Sequence, residues 1–177
     1  PKFMGEHYYV RKTHYIRLGT KISLPTTDNL SGVQDVSYVL DPGTEMELGS
    51  VYTQPFSFTT EGEHKMTYQA IDNVNNESKT QEIKLFVDEI APIIYHHFST
   101  NATAPVDNQY PLKSLLYLAA TDKQAGIRNI YYTINNGKEQ LFKKPLSFKK
   151  RMNYTVKIRA IDNVGNESTD QVSFTIR

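Results

Sequence analysis

Ala70-Ile71-Asp72-Asn73-Val74-Asn75-Asn76-Glu77-Ser78 returns 90 residues later as Ala160-Ile161-Asp162-Asn163-Val164-Gly165-Asn166-Glu167-Ser168. Eight of the nine positions are identical, and only Asn75 changes, to Gly165. A match of this length inside 177 residues marks an internal duplication. The flanks extend it. Thr27-Asp28 followed by Ser31-Gly32-Val33 corresponds to Thr121-Asp122 followed by Ala125-Gly126-Ile127, and Pro55-Phe56 corresponds to Pro145-Leu146. The spacing between copies changes along the chain, as insertions and deletions in loops produce. The acidic pair Asp88-Glu89 precedes the point where the second copy begins, so the sequence divides into residues 1–91 and 92–177.

The runs leading into the repeated motif alternate apolar and polar residues. Met66, Tyr68 and Ala70 share one face, and Tyr154, Val156, Ile158 and Ala160 share the matching face of the second copy. Val36, Tyr38 and Leu40, Ile83, Leu85 and Val87, Ile130, Tyr132 and Ile134, and Val172, Phe174 and Ile176 repeat the pattern. A period of two is that of a strand with one buried face. Asp41-Pro42-Gly43, Glu61-Gly62 and Asn135-Asn136-Gly137 are turn signals between the runs. Short strands at this spacing predict an all-β fold of two tandem immunoglobulin-like β-sandwich domains. Leu115-Leu116-Tyr117-Leu118 breaks the alternation, and reads either as a strand buried on both faces or as a contact surface.

Composition limits the function. The chain is 38% hydrophobic and 22% charged. Both values are in the range of a folded globular protein. A net charge of +1 gives no field that would select nucleic acid. No apolar run approaches the length of a membrane-spanning helix, roughly 20 residues. There is no cysteine, which excludes disulfides, thiolate catalysis and cysteine-held zinc. The sequence starts at Pro1 and reads as a fragment of a larger protein.

A Thr-x-Ile-x-Leu strand, Asp-x-x-Ser-Gly-Val, a Pro-Phe pair and Tyr-x-Ala-x-Asp-x-x-Gly-Asn resemble bacterial immunoglobulin-like repeats, nearest to the OmpL47-type repeat. Asn75 stands where that family has glycine, and Ala125 where it has serine. The resemblance implies a non-catalytic structural or adhesive module of a bacterial surface or secreted protein, extracytoplasmic, with adjacent domains of the same polypeptide as its partners. The alternative is an accessory glycan- or protein-binding module attached to an enzyme or an envelope assembly.

Two readings of the repeated aspartates stand side by side. Asp28, Asp72, Asp122 and Asp162 can fix tight turns by accepting backbone N–H bonds. They can also hold calcium, which takes six to eight oxygens from carboxylates and carbonyls. In a sandwich of this type the chain arrives at the end that carries the loops of Asp122 and Asp162. Asp88, Glu89, Asp122 and Asp162 are therefore the expected ligands of a calcium ion between the domains, and the corresponding site of Asp28 and Asp72 is expected to be poorer.

Other side chains carry weaker signals. His7, His14, His64, His96 and His97 read as surface or edge residues rather than zinc ligands. Tyr8, Tyr9, Tyr15, Tyr52, Tyr95 and Tyr110 find no place in the predicted core and could stack on sugar rings or on a partner. Lys143, Lys144, Lys149, Lys150 and Arg151 read as a solvated hairpin, with binding of an anionic glycan as the other option. No Gly-x-Ser-x-Gly, phosphate loop or His-Glu-x-x-His is present, so no enzyme is expected.

Overall fold

The alternating runs become strands in the computed structural model, which describes residues 1–102 and 108–177. The described residues contain strands, turns and bends but no helix. The chain divides into two units, Pro1–Glu89 and Ile90–Arg177.

The first unit holds β1 (Lys2–Met4), β2 (His7–Val10), β3 (Thr13–Ile16), β4 (Lys21–Ser23), β5 (Val33–Leu40), β6 (Leu48–Val51), β7 (Gly62–Asp72) and β8 (Gln81–Val87). One sheet runs β2-β3-β8-β7-β5-β6; the other pairs β1 with β4 and gains Phe56 through a bridge to Ile22. Ile16, Ile22, Leu24, Val36, Leu40, Phe58, Met66, Leu85 and Val87 form the core between the sheets. The strand residues among them lie on the apolar parity of their strands, which is the physical reason that alternation specifies register.

The second unit holds β9 (Ile93–Phe98), β10 (Gln109–Tyr110), β11 (Leu115–Thr121), β12 (Ile127–Ile134), β13 (Gln140–Leu141), β14 (Leu146–Ser147), β15 (Asn153–Asp162) and β16 (Glu167–Ile176). Its sheets run β14-β11-β9 and β10-β16-β15-β12-β13. Leu116, Leu118, Leu146, Phe148, Val156, Ile158, Phe174 and Ile176 fill the space between them. Both units are thus immunoglobulin-like β-sandwiches. On β11, Leu116 and Leu118 are buried and Leu115 and Tyr117 half-buried, so the apolar run keeps a core face and places its extra apolar residues on the outer one.

The repeat extends to backbone geometry. Asp41 and Asn135 follow the last residues of β5 and β12 with φ of 47° and 48°. Asp41 donates its N–H to the Lys65 carbonyl, and Asn135 donates to that of Thr155. Each side chain returns the bond by accepting from the N–H of the same partner, at 3.0 Å in the first unit and 2.8 Å in the second. Short polar side chains tolerate the left-handed region because they can bond locally, which is why Asp and Asn occupy this corner.

Candidate functional site

Strand register brings the repeated aspartates to one end of each sandwich. In the second unit Ile127 pairs with Asp162, so the loop after β11 and the loop after β15 lie side by side. Ile93 pairs with Thr121, so the chain comes into this unit at that same end. Asn163 ties the two loops together: its N–H donates to the Gly126 carbonyl, and its Nδ2 donates to Ala125 O at 2.8 Å. Asn73 does the same in the first unit, with Gly32 O and Ser31 O.

Inside that frame the carboxylates organise their own loops. Asp162 Oδ1 accepts from the N–H groups of Val164 and Asn166, and Oδ2 accepts from Asn166 Nδ2. Asp72 makes the same three bonds with Val74 and Asn76. Asp28 Oδ2 accepts from Leu30 and Gly32. The Asn76 N–H holds Asp72 well below the usual carboxylate range, at about 2. The Leu30 N–H, followed by that of Gly32, lowers Asp28. Donors aimed at a carboxylate favour its ionised form.

Asp122 differs at one oxygen. Its Oδ1 accepts from Gln124 and Gly126, but its Oδ2 is buried and has no hydrogen-bond partner. Carboxylate oxygens of Asp122 and Asp162 lie within 4.8 Å of each other. Two carboxylates this close repel unless a cation or proton joins them, so the donor chemistry fits a hard divalent ion. Asp88 is buried and donates its N–H to Ile16 O, directly after β8, and the exposed Glu89 is the last residue of the first unit. Both stand on the segment that leads to Ile90.

The histidines divide differently from the sequence expectation. His64 is buried, not at a surface or edge: Nδ1 faces Asp41 Oδ2 at 2.8 Å, Nε2 faces Thr60 O at 2.9 Å, and Phe58 packs on the ring. A groove of about 460 Å³ passes this pair, and both ring nitrogens face oxygen partners. His7 and His14 meet at 2.7 Å beneath Phe3. Burial lowers the proton affinity of both, and His7 adds to the effect on His14. His97 stacks on Tyr117, while His96 faces Asp170 at 3.2 Å.

Two tyrosines are also placed differently. Tyr52 packs against the first core and Tyr110 against the second, where it stacks on Phe98. Neither is a sugar platform. Tyr9 and Tyr95 remain exposed. In the basic hairpin Leu146 and Phe148 are buried, so the apolar residues that interrupt the lysines serve the core and the lysines face solvent.

No family model matches the chain, and no curated protein matches it. Among solved structures it is similar to fibronectin(III)-like modules of Clostridium thermocellum CbhA, at 10% identity and a TM-score of 0.49, over 92% of this chain and 88% of that one.

Proposed function

We propose that the chain is a non-catalytic structural or adhesive module of a larger bacterial surface or secreted protein, one that spaces and presents neighbouring domains outside the cytoplasm. The observation that carries this reading is how the repeated motif uses its polar atoms. Asp28, Asp72 and Asp162 accept the N–H groups of their own loops, and Asn73 and Asn163 brace one loop on the next. A motif that occurs once per sandwich and holds that sandwich's loops is what a stackable module needs. The resemblance to OmpL47-type repeats supports the same assignment. Among the described residues no helix is long and apolar enough to cross a membrane.

The module's cofactor in this reading is calcium. Asp122 and Asp162 supply its central ligands, with the orphaned Oδ2 of Asp122 as the atom that gains most from the ion. Asp88 and Glu89, on the segment that leads to Ile90, are the further ligands that the sequence suggests. A charged ligand set at a linker lets an ion convert a flexible connection into a stiffer one, which is the property a spacer uses.

Calorimetric titration of the whole chain with calcium, paired with thermal melts in calcium and in EDTA, tests this. Binding of about one ion that Asp122→Asn abolishes is the expected result, with the melting temperature raised only in the parent. Absence of heat together with superimposable melts would overturn the metal and leave the aspartates as turn residues. Replacing both units in the parent protein with a Gly-Ser linker of equal reach tests the spacer role separately. Loss of presentation supports it, and unchanged presentation overturns it.

A further inference from the structure

The outer face of the β14-β11-β9 sheet carries no charged side chain at its central positions, in a chain that is 22% charged. Register puts Ile93, Tyr95 and His97 of β9 beside Thr121, Ala119 and Tyr117 of β11. Their neighbours on each strand, Ile94, Leu116, Leu118 and Phe98, belong to the core, so this set points away from it. Ile93 is 57% exposed and Tyr95 51%. The ring of His97 lies parallel to that of Tyr117, with centroids 4.9 Å apart and planes 6° apart. The contact of His96 with Asp170 is on the opposite parity of β9, away from this face.

The first copy of the repeat supplies the contrast. There β1 pairs with β4 so that Lys2 lies opposite Ser23 and Met4 opposite Lys21. Phe3 packs against the core and Ile22 is part of it, which directs Lys2 and Lys21 outward. Lys21 reaches Ser57 Oγ at 3.4 Å. The first sandwich therefore follows the usual rule of a charged, solvated outer face, and the second replaces it with aromatic rings and aliphatic groups.

We propose that this face of the second unit binds a neutral polysaccharide. Sugar rings present C–H groups on their faces and hydroxyls around their rims. The exposed Tyr95 ring and the Tyr117–His97 stack offer flat π surfaces to the first. The Tyr hydroxyls, the imidazole and the side chains of Thr121 and Ser147 offer hydrogen bonds to the second. The central positions carry no fixed charge, so a carboxylated glycan would lose solvation there without gaining an ion pair. An unpaired apolar and aromatic face of this kind on a sheet marks an interaction site. Thr121 borders the Asp122 loop, but Tyr95, Tyr117 and His97 lie further along the strands, so the proposed binding does not call for calcium.

Affinity electrophoresis of the whole chain tests it, in gels that each contain one soluble polysaccharide: hydroxyethylcellulose, xylan, galactomannan or amylopectin as neutral probes, and alginate as the anionic one. At least one neutral gel is expected to retard the chain. Tyr95→Ala and Ala119→Lys each weaken that retardation by about tenfold or more, while Lys21→Ala leaves it in place. Both disruptive changes are at exposed positions, and thermal melts confirm that the variants fold. Unaltered mobility in all neutral gels, retardation by alginate alone, or retardation that survives both Tyr95→Ala and Ala119→Lys would overturn the proposal. So would a dimer, seen by sedimentation, that Tyr95→Ala dissolves in a chain no neutral glycan retards, since the face would then serve a second copy of the protein.

Discussion

Asp162 Oδ2 accepts a hydrogen bond from Asn166 Nδ2 at 2.8 Å, and both residues are buried. Together with the Val164 and Asn166 N–H groups on Oδ1, the carboxylate satisfies three donors in a loop shielded from water. Asp162→Ala removes the acceptor of all three, and the loss of a buried acceptor is expensive. The expected loss is about 2–4 kcal/mol. Asp162→Asn keeps an acceptor for the backbone donors and exchanges the other oxygen for a donor that faces a second amide, at a cost of about 1–2 kcal/mol. Urea denaturation of the whole chain, read on the transition of the second unit, gives both values. Equal losses for the two variants would show that the Asn166 amide, not the backbone, dominates.

The matching loop of the first unit predicts an acid dependence. Asp72 has a folded-state pKa of about 2 against an ordinary value of 3.8, chiefly because the Asn76 N–H stabilises the ionised form. A depressed folded value means that the unfolded chain takes up protons first as the pH falls. The stabilisation is therefore complete above about pH 4 and disappears between about pH 4 and about pH 2. Asp72→Asn removes the titration but retains an acceptor. The melting temperature of the parent is expected to exceed that of Asp72→Asn at about pH 5, and the gap to close by about pH 2. A gap that stays constant across this range would remove the carboxylate from the acid response.

The strands that hold these loops were legible because burial writes itself into alternation. Met66, Leu85, Val156 and Ile158 sit on the expected faces, since a shift by one residue would have exposed every one of them. The hairpin of β2 and β3 was not legible. Its turn is Arg11-Lys12, with φ of 49° and 66°. Two-residue hairpins usually carry Asn or Gly at such positions. The pairing of Tyr8 with Tyr15 and of Tyr9 with His14 supports the turn from outside it. His64 escapes the sequence for a related reason: it alternates with Met66 and Tyr68, but its burial depends on an aspartate 23 positions away. The aspartates were legible as a repeat, and the orphaned oxygen of Asp122 was not, because only the fold fixes which of its lone pairs are used.

That distant aspartate yields a prediction from the repeat itself. Asp41 accepts from the Lys65 N–H and faces His64, whereas among the described residues the side chain of its counterpart Asn135 accepts from the Thr155 N–H and faces no histidine. Asp41→Ala strips the buried imidazole and the Lys65 N–H of their acceptor and is expected to cost about 3–5 kcal/mol. Asp41→Asn reproduces the residue of the second unit and keeps an amide oxygen for Lys65, so its cost is expected to be roughly half of that. Thermal melts of the two variants, followed through the first unit, decide the matter. If Asp41→Asn is as damaging as Asp41→Ala, the bond to His64 rather than the turn holds this corner.

The glycines that precede β5 and β12 give a paired test of how tightly the loops are braced. Gly32 and Gly126 have φ of 80° and 74°. Alanine at either position therefore enters the left-handed region, at a cost of about 1 kcal/mol. Their surroundings differ. A Cβ on Gly126 would stand 3.6 Å from Asn163 Nδ2, an ordinary contact, while one on Gly32 would stand 3.0 Å from Asn73 Nδ2. The Asn73 amide is held by its 2.6 Å bond to Ser31 O and cannot withdraw without breaking it. Gly126→Ala is therefore expected to cost about 1 kcal/mol and Gly32→Ala about 2 kcal/mol, the excess being the weakened Asn73–Ser31 brace. Adding Asn73→Ala to Gly32→Ala should remove that excess, because the crowded amide is gone. A double variant that remains as destabilised as the sum of its parts would show that the two loops are not coupled through Asn73.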